Sequence, residues 1–180
     1  MSRTLLPIRL ATHKDAAALA ALKLDTFRQT FLEDFAIPYP ADDLARFEAE
    51  TYSEAQVAAE LADPARRIWV VEEAGGLIAY AHAGPCKLPH PDVQAGDWEF
   101  CQLYVRRHAQ AAGLGTQLLD HVLDFFDAQG GPVWLGVWSG NLRAQHLYRQ
   151  RGFAKVGDYQ FCVGNWRDDE FILRRPARAR

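Results

Sequence analysis

Apolar positions in this chain recur at two spacings, and the change from one to the other falls near residue 67. Before it the recurrence is helical: Ala20, Leu24, Phe27 and Phe31 repeat over successive turns and give one apolar stripe suited to packing. Ile8 to Ala11 reads as a short strand ahead of that helix, and Thr12 with Asp15 marks the helix start. The stretch Ala36 to Pro40 ends it, because Pro38 and Pro40 forbid its continuation. Asp42 to Glu50 reads as a second short helix. Ser53-Glu54-Ala55-Gln56 reads as a capping box opening a third, which ends before Pro64.

Beyond residue 67 the pattern is that of strands. Ile68-Trp69-Val70-Val71 and Leu77-Ile78-Ala79-Tyr80-Ala81 flank Ala74-Gly75-Gly76, a hairpin by its turn glycines. Pro85 to Gly96 is a loop. Trp98 to Val105 is the next strand, Gly113 to Gln129 a helix, and Val133 to Val137 a strand entered through Gly130-Gly131-Pro132. Asn141 to Arg151 forms a last helix stopped by Gly152, and Val156 to Val163 pairs with Phe171 to Leu173 as a final hairpin. This order predicts an α/β domain with a mixed, mostly antiparallel sheet and flanking helices. A length of 180 residues with a 49% apolar share fits one domain, 1–180.

Two segments carry chemistry. The strand Leu103-Tyr104-Val105 leads through Gln110-Ala111-Ala112-Gly113-Leu114-Gly115-Thr116 into a helix start. Unpaired N–H groups and the helix dipole make such a start an anion cradle, and glycine lets a pyrophosphate approach the backbone. Further on, Asn141-Leu142-Arg143-Ala144-Gln145-His146-Leu147-Tyr148 leads to Arg151-Gly152-Phe153, after the apolar run Val133 to Trp138. Together these segments resemble the GNAT N-acetyltransferases, over residues 67–175 and more loosely over the first 60. The departures are Arg107, where many members carry Pro, and Ala111, where many carry Gly.

The resemblance implies the GNAT fold, in which the strands ending at Val105 and Val137 run parallel and splay apart around acetyl-CoA. It implies that Gln110 to Thr116 hold the pyrophosphate, with Leu103 and Val105 along the cofactor and the Val105 N–H donating to the thioester carbonyl. Asn141 would lie near the pantetheine and Tyr148 near the sulfur. Residues 1–66 would face the acceptor and 67–175 would carry the cofactor. The expected reaction is acetyl transfer from acetyl-CoA to a primary amine by direct attack in a ternary complex.

Composition removes several other classes. A net charge of −3 gives no nucleic-acid footprint, and Arg174, Arg175, Arg178 and Arg180 read as a solvated basic end. No apolar run is long enough to span a bilayer and no leader is apparent, so the expected setting is cytoplasmic, away from membranes. Cys86, Cys101 and Cys162 form neither a disulfide framework nor a zinc ribbon, and the six histidines lack metal-site spacing. No metal is expected. A dinucleotide-binding first unit is excluded because His13-Lys14-Asp15 contains no glycine.

Amine acetylation needs a base for the ammonium proton and an acid for the thiolate. Tyr148 matches the family's general acid, since a phenol can donate to a thiolate as charge develops. Glu99, between Trp98 and Phe100, is the first choice of base, and burial would raise its pKa; His82, His90 and a water relay are the alternatives. Cys101, among apolar neighbours, is inert. Phe27, Phe31 and Glu99 are the expected acceptor-side residues. Residues 33–60 hold eight acidic side chains against the single base Arg46, a field that would concentrate polyamines. The Phe27-Thr30-Phe31 segment, the run Trp134 to Trp138 and the Gly157 to Gly164 ending also resemble a bacterial spermidine/spermine acetyltransferase subgroup. Protein N-termini, lysines, amino acids and aminoglycosides stay open as acceptors, as does an acyl-CoA-binding regulatory module without turnover. The edge strands of the last hairpin would permit a homodimer.

Overall fold

A computed structural model of the chain describes residues 6–178. Seven strands form one sheet in the order β1-β2-β3-β4-β5-β7-β6. Their ranges are β1 Ile8–Leu10, β2 Arg67–Glu73, β3 Gly76–Pro85, β4 Trp98–Val105, β5 Val133–Trp138, β6 Ala154–Val163 and β7 Trp166–Arg175. The helices are α1 Ala16–Phe27, α2 Ala41–Tyr52, α3 Glu54–Ala62, α4 Leu114–Gln129 and α5 Leu142–Arg149. Every strand pair is antiparallel except β4 with β5, so the sheet is mixed and mostly antiparallel, as its sequence predicts.

Both faces of the sheet are covered, which is why β2 reads as an unbroken apolar run. Trp69 and Val71 pack with Leu118, Leu119 and Val122 of α4. Ile68 and Val70 point the other way, onto Leu19 and Leu22 of α1 and Val57 of α3.

Two irregularities shape the centre. The parallel pair β4·β5 is joined only at Trp98↔Val133 and Glu99↔Trp134, after which the strands part. The pairing of β4 with β3 also slips one residue, because His82 opposes Gln102 while Ala83 opposes Phe100, leaving Cys101 as the extra residue of a bulge. The bulge resets the alternation of β4. Trp98 and Phe100 pack on the α4 face, and beyond Cys101 it is Leu103 and Val105 that continue there, whereas Tyr104 turns toward Tyr80 on the opposite face.

Local differences from the sequence expectations have physical causes. α1 runs on through Arg28–Asp34 as a wider helical turn, in which the Phe35 N–H reaches the Thr30 carbonyl at 3.0 Å. A tight turn at Arg107–Ala112 precedes α4, whose start is fixed by Gly113 in the left-handed region, φ 74°. β7 begins at Trp166, five residues before the apolar segment that marks it in the sequence, because its polar first half faces a cavity.

Candidate active site

The parting of β4 from β5 leaves two cavities that meet at Leu103, Tyr104, Asn141, Ala144 and Tyr148. One, of about 520 Å³, extends toward the start of α4. The other, of about 190 Å³, lies beneath α1 and α2 on the opposite side of the junction.

The larger cavity is lined by Val105, Gln110, Gly115 and Thr116, with Arg143 and His146 from α5, Gln150 just past its end, and Thr30, Asp34 and Phe35 from the end of the first helix. Ser53 caps α3 and Asn141 caps α5, but no side chain caps α4. Its first N–H groups therefore remain as donors beside the cavity. Val105 is opposite Ala79, and the Arg106 N–H donates to the Ile78 carbonyl at 2.8 Å. Val105 is thus at a position whose own N–H and carbonyl turn away from β3, into the opening. Its carbonyl accepts from Gln110 Nε2 at 3.0 Å.

The smaller cavity is walled by aromatic rings and floored by carboxylates. Phe27 is central to the wall, with ring centroids of Phe31, Tyr52 and Phe47 at 5.1, 5.3 and 5.4 Å. Glu99, Asp168 and Glu170 line the cavity, and no lysine or arginine lines it among the described residues. Glu99 accepts from the Lys87 N–H at 2.9 Å, and burial raises its pKa. Glu170 accepts from the Tyr159 hydroxyl, and burial, with the nearby Asp168 and Glu99 charges adding to it, pushes its pKa up to about 7. Asp168 is fully engaged, accepting from Tyr39 at 2.5 Å and from Trp166 at 2.8 Å.

The expected residues separate by role. Tyr148 and Asn141 lie at the junction; Asn141 Oδ1 accepts from the Ala144 N–H at 3.0 Å and fixes the start of α5. The Tyr148 hydroxyl has no hydrogen-bond partner among the described residues, and burial raises its pKa. Glu99, Phe27 and Phe31 line the smaller cavity. Leu103, Val105, Gln110, Gly115 and Thr116 line the larger one. Gly113 and Leu114 do not line it: Gly113 sets the turn, and the Leu114 side chain is in the core, leaving its backbone at the helix start. Ala111 and Ala112 belong to the turn before α4.

Four sequence readings change. His82 is 2% exposed, lies outside both cavities and contacts Arg66 and Gln102; burial and the Lys23 and Arg66 charges push its pKa down to about 3, so it is no base near neutrality. His90 also lies outside the cavities, accepting from the Asp92 N–H and resting against Trp134. The acidic stretch is only partly free: Glu33 and Asp34 pair with Arg107, Glu48 with Arg28 and Glu60 with the buried Lys23, while Asp42, Asp43, Glu50 and Glu54 make no ion pair among the described residues. The basic end is engaged as well, since Arg175 and Arg178 share Asp127 and Arg174 lies over the Trp134 ring; Arg180 is outside the described residues. Asp168, Glu170 and Tyr159 are the site residues that sequence reasoning missed. The available signal was the unexplained acidic run Asp168-Asp169-Glu170 between apolar strand positions.

The sheet parts at one parallel pair, with an uncapped helix start on one side and a carboxylate-lined cavity on the other. The sequence model of the acetyltransferase (GNAT) family matches residues 24–153, and the chain belongs to that family and is an N-acetyltransferase. An N-acetyltransferase of Lactobacillus delbrueckii subsp. lactis is 27% identical over 169 residues, 91% of this chain and 93% of the relative. One from Mycobacterium tuberculosis is 31% identical over 165 residues, 89% and 97% of the two chains. Among solved structures, the PaiA N-acetyltransferase of Thermoplasma acidophilum in complex with coenzyme A superposes with a TM-score of 0.71 at 16% identity, covering 98% of this chain and 99% of that one. Among the described residues no helix is long and apolar enough to cross a membrane, and no group of three or more His, Cys, Asp or Glu is arranged to hold a metal ion.

Proposed function

We propose that the protein transfers an acetyl group from acetyl-CoA to a small cationic primary amine, within one domain. The observation that carries this reading is the meeting of the two cavities at Tyr148, one cavity ending on free helix N–H groups and the other walled by carboxylates. Acetyl-CoA supplies the activated acetyl thioester. The start of α4 suits its pyrophosphate, with Gln110 to Thr116 wrapping it and Leu103, Val105 and Asn141 lining the arm between the parted strands. The Thermoplasma protein of the same fold was solved in complex with coenzyme A, which supports coenzyme A as the class of ligand.

In this reading Glu99 takes the proton of the incoming ammonium, directly or through water, and the neutral amine forms the new C–N bond as the C–S bond breaks. The Val105 N–H donates to the carbonyl oxygen as charge gathers on it. Tyr148 gives its proton to the leaving thiolate, and the surplus proton of the newly acylated nitrogen, passed back through water, restores the phenol, which burial keeps protonated beforehand. Cys101 takes no covalent part, because burial raises its thiol pKa well above the usual range. A cationic acceptor, polyamines included, is supported by Glu99, Asp168 and Glu170 facing a cavity without lysine or arginine, more than by the partly paired charge of residues 33–60. The test is thiol release from acetyl-CoA with a panel of spermidine, spermine, putrescine, lysine, an aminoglycoside and short peptides. Release driven by small polycations supports the reading. Release driven only by peptides moves the acceptor to protein N-termini or lysines. Tight coenzyme A binding with no acceptor-dependent release would leave a cofactor-binding module.

A further inference from the structure

The smaller cavity presents more carboxylates than one ammonium group can engage. Glu99 and Glu170 each have one protein partner, Lys87 N–H and Tyr159 hydroxyl respectively, so each keeps an uncommitted carboxylate oxygen among the described residues. Asp168 has none to spare. The two available carboxylates flank β5. Glu99 is level with Trp134 on the β4 side, while Glu170, from β7, reaches over Gly136, where a Cβ would stand 3.0 Å from its Oε2 and collide with the Tyr159 hydroxyl. That places the two groups two residues apart along β5, or about 7 Å of strand, plus the strand's own width.

A second observation points to a ligand in the same space. Tyr52 lines the cavity at 8% exposure and its hydroxyl has no hydrogen-bond partner among the described residues. That hydroxyl opens onto the cavity and is free to accept a hydrogen bond there, and a protonated amine carries several donors. Aromatic walls add favourable cation–π contacts for the same group.

We propose that Glu170, held by Tyr159 over Gly136, binds a second cationic nitrogen of the acceptor, so that the preferred substrate is a short diamine with one charge at each end. Glu99 serves the reacting nitrogen and Glu170 the distal one. Glu170 is therefore a specificity-determining residue. This inference builds on the acetyl-transfer reading above and assigns the acceptor's second pole.

The test compares putrescine with butylamine, which has the same chain and one nitrogen fewer, in wild type, Glu170→Gln and Tyr159→Phe. Wild type is expected to prefer putrescine in kcat/KM by at least about tenfold, and Glu170→Gln to bring the ratio to about one, mainly through the KM for putrescine. Tyr159→Phe is expected to fall between them, since the carboxylate remains but loses its anchor. An unchanged ratio in Glu170→Gln, or equal losses for both amines, overturns the proposal. Calorimetry of putrescine binding without acetyl-CoA separates the two levels of inference. Tighter binding of putrescine than of butylamine with no acetyl transfer to any amine would end the acetylation reading and keep this one. Acetylation of amines without a putrescine preference would do the reverse.

Discussion

The two cavities that meet at Tyr148 are built from different materials. The larger draws on two contiguous segments, Leu103 to Thr116 and Asn141 to Gln150, and the first of them presents a strand edge and a helix start whose backbone groups face it. The smaller is framed by side chains brought from α1, α2, β4, β5, β6 and β7. Backbone donors cannot be mutated away and would suit the invariant pyrophosphate of the proposed cofactor. Side chains can be exchanged singly and suit a variable acceptor. In the proposed reading the chain thus separates a fixed cofactor side from an adjustable acceptor side, with Tyr148 belonging to both.

Substitutions confined to one side can break that division. The largest effect is expected from Gly113→Glu, which forces a left-handed position on a residue with a Cβ and puts a carboxylate beside the anion cradle. Calorimetry should show acetyl-CoA binding abolished; unchanged affinity would remove this turn from the cofactor site. At the junction, Tyr148→Phe should lower kcat by about 10²-fold while acetyl-CoA affinity changes little, and a kcat close to wild type would end the acid role. On the acceptor side, Gly136→Ala should displace Tyr159 and Glu170 and raise the KM for the amine by about tenfold. The same acetyl-CoA affinity in that variant would confirm that the halves are separable, and a matching loss would join them.

The smallest expected effect is on stability. The Glu170 carboxyl is at about 7 in the folded chain. In the unfolded chain it returns to about 4.3. Between those values the folded state holds the extra proton, so this group favours folding most below about pH 4 and progressively less up to about pH 7. Glu170→Gln should therefore gain on wild type as pH rises from about 5 to 8, by a few degrees in Tm at the upper end. Parallel melting curves across that range would show a charged, well-solvated Glu170 instead.

The unequal legibility of the two halves has the same origin. The side proposed for the cofactor is local in sequence, so Gln110, Gly113 and Asn141 mark it through turn and cap chemistry. Element order and the mixed sheet were equally legible, because strand alternation and proline breaks are local signals. Glu99 was found because a carboxylate between Trp98 and Phe100 is anomalous on any strand. Glu170 and Asp168 were not, because their facing the cavity depends on the pairing of β7 with β5 and β6, and their polarity disguised half of β7 as a loop. The charge of residues 33–60 is partly offset for a related reason. Its partners Arg107, Arg28 and Lys23 lie outside that segment and meet it only after folding.

The bulge at Cys101 gives β4 an odd sensitivity to length. Because this one extra residue turns Leu103 and Val105 to the α4 face and Tyr104 to the other, deleting it would exchange the two sets all the way to the loop before α4. Exchanging the thiol for another small side chain would preserve the count. Across descendants of this chain, β4 should tolerate changes of letter at position 101 and reject changes of frame, an imprint of the parted sheet that sequence identity alone would not register.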